Sequence, residues 1–117
     1  MRDNDIIKLI VKWADDKKGE NISILDVRGL SVFTDFFIII SATSVPHLQA
    51  IARELAFKLK KESKRLPLYP YDENDDKWIL MDYGDFVIHI FLPEVREFYD
   101  LENLWYEAKR IEVNLNE

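Results

Sequence analysis

The clearest indication of the fold comes from residues Trp78–Leu92, WILMDYGDFVIHIFL. Two runs rich in β-branched and aromatic residues flank the short segment YGD, and this pattern predicts a β-hairpin. Gly84 can supply the positive φ angle that a tight turn needs, and we expect Asp85 to bond the nearby backbone. Because the stretch also holds a second carboxylate, Asp82, a metal site at the turn is the alternative.

The segments on either side of this hairpin predict a mixed sheet covered by helices. Amphipathic spacing predicts helices over 3–18, after Thr43 or Ser44, and over 93–110. Apolar runs predict strands at NISILDVR, at DFFIIIS and at the proline-broken LPLYPY, the last at a sheet edge. The order α-β-β-α-β-β-β-α indicates one α/β (α+β) domain over 1–117, with a mixed sheet of about five strands.

The composition excludes several classes of protein. The chain of 117 residues has no cysteine, so disulfide scaffolds, cysteine zinc sites and thiol catalysis are ruled out. The N-terminal segment is too acidic for a secretory or transit peptide, and no apolar run approaches the roughly 18 residues of a membrane span. We therefore expect a cytoplasmic protein with no membrane partner.

The charge balance indicates the kind of partner. The formal net charge is −6, which predicts little direct binding to nucleic acid, because such binding depends on Lys and Arg contacts with phosphates. A basic protein surface fits an acidic chain better, since complementary potentials speed encounter and set orientation.

The carboxylates near the hairpin match known metal sites poorly. The segment 72–83 begins like a calcium loop but has Lys77 where that loop requires glycine. Asp82 and Asp85 are three positions apart, whereas strand residues on one face are two apart, so the two need not converge as two-metal catalysis requires. A metal-dependent nucleotidyltransferase using Asp82 and Asp85 remains the alternative function. We expect no metal and no other cofactor.

The large side chains around the turn favour an interface. Trp78, Met81, Tyr83 and Phe91 belong to residue types enriched at the buried centres of interfaces, with charges at the rim. Core packing is the alternative explanation for each of them. His89 has no evident nucleophile and base beside it, so a catalytic triad is not indicated.

Three blocks of sequence bear a resemblance to a known family. The blocks DVRGLSVFTDFFIIISATS, KWILMDYGDFVIHIF and REFYDLENLW resemble the ribosomal silencing factor family, also called Iojap or RsfS. The similarity runs from about Leu25 to Trp105. Its most specific part is W-x-x-x-D-Y-G-D, followed by V-x-H-x-F and R-x-F-Y-x-L-E-x-L-W.

The resemblance implies a fold and a function. The fold would be nucleotidyltransferase-like without the catalytic residues of that superfamily, so the protein would not be an enzyme. The function would be translation repression under nutrient limitation, through binding of the large ribosomal subunit via ribosomal protein L-fourteen. That contact would block joining of the small subunit. The resemblance also implies a homodimer.

Two sets of site residues follow from the interface argument and the resemblance together. The set predicted to bind the ribosomal protein is Trp78, Met81, Asp82, Tyr83, Gly84, Asp85, His89 and Phe91. A second set serves either the interface or docking of the last helix on the sheet: Arg96, Tyr99, Glu102 and Trp105. Two departures from the family pattern are Ala42, where the family has glycine, and the altered loop 70–77.

Overall fold

A five-stranded mixed sheet organises the part of the chain that the structure, a computed structural model, describes: residues 3–113, with side chains from residue 5 onward. The elements in chain order are α1 (Asp3–Asp16), β1 (Glu20–Asp26), β2 (Phe36–Ser41), α2 (Val45–Ser63), β3 (Trp78–Asp82), β4 (Phe86–Phe91), α3 (Pro93–Tyr99), α4 (Leu101–Leu104) and β5 (Lys109–Arg110). In space the strands are ordered β3-β4-β2-β1-β5. The pair β2–β4 is parallel and the other pairs are antiparallel, which confirms the predicted mixed fold class. Residues 1–2 and 114–117 of the predicted domain lie outside the described residues.

Helices α1 and α2 cover one face of the sheet. They bury the apolar stripes that their spacing predicted, among them Ile6, Ile10, Leu48, Ile51 and Leu55, against the strand side chains Phe36, Ile38, Ile40, Phe86, Ile88 and Ile90. The Ser44 side chain accepts a hydrogen bond from the His47 N–H at 3.2 Å and so caps α2, as one of the two predicted caps. No helix of the described residues is long and apolar enough to cross a membrane.

The opposite face is covered only in part, by the short helices α3 and α4. Leu25, Val27, Ile39 and Phe91 form a second, smaller core there. Val95, Leu101, Trp105 and Ala108 pack on it from the C-terminal segment. Because these two helices are short, the strands nearest the β3 edge keep part of this face exposed.

Two predicted elements are wrong. The segment 66–71 forms no strand: Pro67 and Pro70 lack the N–H that a sheet ladder needs, and the backbone bond to β3 runs from the Leu68 N–H to Asp82 O at 2.8 Å. The fifth strand is instead β5, after the helices, where it pairs with β1. The predicted helix over 93–110 is interrupted at Asp100, whose φ is 48°, and helix resumes only to Leu104. The observed order is therefore α-β-β-α-β-β-α-α-β.

Ala42 does not need the conformational freedom of the glycine that the family pattern has at this position. Its side chain is fully buried, and its N–H donates to the Phe91 carbonyl at 2.8 Å. Its φ is not among the positive values of the described chain. The departure at this position therefore leaves the end of β2 joined to the hairpin.

Candidate functional site

Strand β3 divides its side chains between the two faces of the sheet. Ile79 and Met81 point to α1 and α2 and are essentially inaccessible, whereas Leu80 exposes 42% of its surface on the other face. Trp78 and Asp82 lie on the same face as Leu80, because side chains two positions apart in a strand share a face. Three consecutive outward positions of the edge strand are thus an aromatic, an aliphatic and an acidic residue.

Neighbouring elements extend this row into a surface that we call the open sheet surface: Phe37, Trp78, Leu80, Asp82 and Tyr99. The register places Leu80 opposite His89, and Asp82 opposite Val87, which in turn pairs with Phe37. Tyr99, half exposed at 50%, packs against Trp78 with tilted rings whose centroids are 4.9 Å apart. An apolar centre with a carboxylate at its rim has the composition of a protein interface.

Trp78 is held in place from several sides. Its ring lies 4.9 Å from that of Phe91, and its indole N–H donates to Nδ1 of His89 at 3.2 Å. His89 in turn stacks on Phe91 and meets Phe37 edge-on, with centroids 5.9 and 5.1 Å apart. A preorganised aromatic ring loses little conformational freedom when it is buried by a partner.

His89 is a neutral acceptor in this arrangement. Because Nδ1 accepts the indole proton, the imidazole has its own proton on Nε2. Only 4% of the residue is exposed, and burial lowers its pKa from 6.5 to about 3. Nε2 has no hydrogen-bond partner among the described residues. The geometry gives His89 a positioning role towards Trp78, and within the described part of the chain neither ring nitrogen bonds a side-chain nucleophile.

Replacing His89 with glutamine should flatten the acid dependence of stability. The pKa of His89 is about 3 in the folded protein, against the ordinary value of 6.5 that we take for the unfolded chain. Between these pH values the unfolded state binds more protons than the folded state, so the free energy of unfolding falls as the pH falls. Between about pH 7.5 and 5 this loss amounts to roughly 2 kcal/mol in the wild type. Urea unfolding at both pH values measures it, and equal pH dependence in His89→Gln and wild type would contradict it. The other histidine, His47, is present in both proteins, so its contribution to the pH dependence is the same in each.

The turn between β3 and β4 uses its two carboxylates separately. Gly84 has φ 92° at the first of two central positions, which confirms the predicted turn and is the pattern of a type II′ hairpin. Asp82 Oδ1 accepts the Gly84 N–H at 2.8 Å. The expectation that Asp85 bonds the backbone is wrong, because its carboxylate pairs with Arg65 at 2.7 Å. Asp82 has the capping role instead.

The described residues contain no group of three or more His, Cys, Asp or Glu side chains arranged to hold a metal ion. Asp82 lies at the rim of the open sheet surface and accepts from the Gly84 N–H, whereas Asp85 pairs with Arg65, so the two carboxylates have separate partners and do not form a shared acidic pocket. The geometry therefore offers no support for two-metal chemistry at this turn.

The structure places the predicted hairpin residues in two groups. Trp78, Asp82, Gly84 and Asp85 are partly accessible. Met81, Tyr83, His89 and Phe91 expose 5% or less and support the surface from below. Burial also raises the pKa of Tyr83 and keeps its phenol neutral. Leu80 was missed by the sequence argument, although alternation with Trp78 and Asp82 could have identified it.

The second predicted set contains residues that dock the C-terminal helices and one residue that is exposed. Arg96 donates from Nε to Glu102 Oε1 at 2.9 Å, and from Nη1 to the Ser41 hydroxyl at 2.9 Å and to the Asn21 carbonyl. Trp105 packs edge-on against Phe37 at 5.4 Å. These contacts attach α3 and α4 to the sheet, so Arg96, Glu102 and Trp105 are placed for docking. Tyr99 is the member of the set that lies on the open sheet surface.

Glu102 is the centre of this docking network. Besides Arg96 it accepts from the Ser23 hydroxyl at 3.3 Å and pairs with Arg110 at 3.2 Å. Burial alone would raise the pKa of Glu102, but the hydrogen bond and charge of Arg96, together with the charge of Arg110 and the hydrogen bond from Ser23, outweigh burial and lower it. The carboxylate is therefore charged at neutral pH and holds the C-terminal segment against β1.

Comparisons of sequence and of structure both find ribosomal silencing factors and related proteins. Residues 1–117 match the family model described as "Ribosomal silencing factor during starvation". The chain is 37% identical over 116 residues to the ribosomal silencing factor RsfS of Halalkalibacterium halodurans, covering 97% of this chain and 96% of that protein. It is 36% identical to the mouse "Mitochondrial assembly of ribosomal large subunit protein 1", covering 85% of this chain and 44% of the mouse protein. A Chromobacterium violaceum crystal structure superposes with a TM-score of 0.84 at 31% identity, covering 97% of this chain and 92% of that one.

Proposed function

The chain belongs to the ribosomal silencing factor family, and we propose that it represses translation by binding the large ribosomal subunit and blocking the small subunit from joining. The family description names starvation as the condition for silencing. The name of the mouse relative refers to the large subunit, which supports that subunit as the partner here.

The open sheet surface is the contact that we assign to ribosomal protein L-fourteen. The observation that carries this assignment is Leu80, an exposed leucine between a fixed Trp78 and the carboxylate of Asp82. A leucine buried by a partner contributes about 1.5–3 kcal/mol. The net charge of −6 adds attraction to a basic ribosomal protein. Gly84 shapes the turn that presents Asp82.

The buried members of the predicted set take a supporting role in this proposal. Met81, Tyr83, His89 and Phe91 act through the positions of Trp78 and of the turn, and they need not touch the partner. Asp85 fixes the turn through its ion pair with Arg65. We expect no catalytic activity, in line with the regulatory role of the family.

Self-association is proposed alongside ribosome binding. Phe98, Leu104 and Tyr106 expose 77%, 69% and 75% of their surfaces, and Phe98 contacts Tyr99 of the open sheet surface at 5.2 Å. Apolar surface of this kind favours association with a second copy of the chain. Analytical ultracentrifugation of the purified protein measures the oligomeric state.

Co-sedimentation with purified large subunits tests the function. We expect the wild type to pellet with the subunits at low salt and Asp82→Arg to stay in the supernatant, because the substitution places a cation opposite a basic protein. Asp76→Arg, in the exposed loop before β3, makes the same charge change and should pellet as the wild type does. A wild type that stays in the supernatant would exclude the proposed function. Magnesium-dependent nucleotide turnover abolished by Asp82→Asn would instead favour a nucleotidyltransferase.

A further inference from the structure

The positive charge of this acidic chain is concentrated on one helix. Residues 53–65 contain six basic and two acidic residues, a net charge of +4. The remaining residues then contain ten basic and twenty acidic residues, a net charge of −10. The C-terminal half of α2 and the two residues after it are thus a cationic region that the overall charge conceals.

All the exposed residues of this region except Glu62 lie along one side of α2, and we call these five the basic stripe: Arg53, Phe57, Lys60, Lys61 and Lys64. Arg53, Phe57, Lys60 and Lys61 have the spacing of four, three and one residues that keeps side chains on one side of a helix, and the exposed Lys64 follows directly as the residue that ends α2. The opposite side of α2 is buried in the core. The stripe spans about 16 Å at 1.5 Å per residue.

Phe57 distinguishes this stripe from an ordinary solvated helix face. Its side chain is 54% exposed, and the Lys61 ammonium lies 5.7 Å from the ring centroid. An exposed aromatic ring between cations can stack on a nucleic-acid base while the cations contact the phosphates.

Stabilisation of the helix explains only part of this arrangement. Cations in the last turn interact favourably with the helix dipole, which accounts for Lys60 and Lys61. The dipole effect fades within one turn and does not account for Arg53 or the exposed ring of Phe57. Lys64 has φ 58°, in the left-handed region where helix ends usually have glycine, so glycine would be the residue of choice for the backbone alone.

The lysines of the stripe have no ion-pair partner among residues 5–113, whose side chains the structure describes. Among the described residues, the ion pairs at the surface of α2 and at its end are Lys17–Glu54 and Arg65–Asp85, and none involves Lys60, Lys61 or Lys64. Their ammonium groups are therefore available to an anionic partner.

We propose that the basic stripe binds the phosphate backbone of RNA, with Phe57 stacking on a base. A lipid surface fits less well, because the apolar side of α2 is buried in the core and cannot insert between lipids. The ion pair between Arg65 and Asp85 places this end of α2 beside the hairpin turn, so one ribonucleoprotein partner could contact both the stripe and the open sheet surface. The RNA contact does not depend on the proposed contact with ribosomal protein L-fourteen, and it locally revises the expectation of little nucleic-acid binding.

Fluorescence anisotropy with a labelled short single-stranded RNA tests this proposal without any ribosomal protein. We expect the wild type to bind at low salt with a log–log salt slope of about −3, from four cations at about 0.7 each. The triple variant Lys60→Gln/Lys61→Gln/Lys64→Gln should bind roughly tenfold or more weakly and should lose about two units of slope. Phe57→Ala should weaken binding with little change in slope, because stacking releases no counterions.

The control variant makes the same change of net charge elsewhere. Lys12→Gln/Lys77→Gln/Lys109→Gln replaces three exposed lysines on α1, the loop before β3 and β5, and it should bind RNA as the wild type does. Circular dichroism melting of both triple variants verifies that α2 is intact. No wild-type binding at low salt, equal loss in both variants, or equally tight binding of polyglutamate would each overturn the RNA assignment. Loss of subunit co-sedimentation by Asp82→Arg with unchanged RNA affinity would show that the two contacts are separate.

Discussion

Leu80→Asp is expected to abolish binding to the large ribosomal subunit without unfolding the protein. Leu80 exposes 42% of its surface at the centre of the open sheet surface, so a partner that covers it would enclose an unpaired carboxylate. Losing the buried leucine and enclosing the charge together weaken binding by about 100-fold or more. Leu80 belongs to neither of the two cores, so the free energy of unfolding should fall by only about 1 kcal/mol, from the part of the leucine that is already covered and from the low strand propensity of Asp.

The matched control for this experiment is Leu66→Asp. Leu66 is 62% exposed in the segment after α2, outside the open sheet surface, and the substitution makes the same chemical change. Titration of fluorescently labelled protein with large subunits, and separately with isolated ribosomal protein L-fourteen, gives the two affinities. Unchanged affinity in Leu80→Asp, or equal loss in both variants, would remove the open sheet surface as the contact. Leu80 is a cleaner test than Trp78, whose packing on Phe91 and Tyr99 links its truncation to stability.

Arg96→Ala is expected to lower the free energy of unfolding by roughly 2–3 kcal/mol, because it leaves the Glu102 carboxylate without its main partner. The side chains of Arg96 and Glu102 are only 13% and 19% exposed. Arg96 also binds the Ser41 hydroxyl and the Asn21 carbonyl, so its loss loosens α3 and α4 from the sheet. Urea unfolding, followed by circular dichroism and tryptophan fluorescence, measures the change.

Arg110→Ala is the matched control for this second prediction. Arg110 pairs with the same carboxylate at 3.2 Å, but its side chain is 62% exposed, so its removal should cost less than about 1 kcal/mol. A double variant, Arg96→Met with Glu102→Leu, should recover much of the stability, because no unpaired charge remains. Equal costs for Arg96→Ala and Arg110→Ala would contradict the assignment of Arg96 as the residue that docks the helices.

Much of the fold could be predicted from local patterns. The β-branched and aromatic runs around Gly84 predicted the hairpin, and the apolar stripes predicted α1 and α2, because period 2 and period 3.6 are written directly in the chain. The elements of the C-terminal third were harder to predict from local patterns. The positive φ at Asp100 interrupts the last helix, and β5 exists only because two residues meet the edge of β1. A strand of two residues has no periodicity to detect.

The candidate site likewise has features that could be predicted from the order of residues and features that depend on tertiary contacts. The positions of Trp78, Asp82 and Gly84 in one hairpin followed from their order in the chain. The partner of Asp85 could not be predicted in this way. Arg65 lies 20 positions before Asp85 in the chain, and the end of α2 brings it close only in the folded structure. The burial of His89 and its bond to the indole of Trp78 likewise need the register of β3 against β4.

The class of fold, the hairpin and the family could all be recognised from residue types and spacings, because these are contiguous along the chain. Which side chains a partner can reach could not be recognised in this way, since that depends on how the elements pack in space. Helices α1 and α2 cover one face of the sheet and bury most of its side chains, whereas the short helices α3 and α4 leave Leu80 exposed on the other. Exposure of a strand residue is set by what packs above it, and that packing joins residues far apart in sequence.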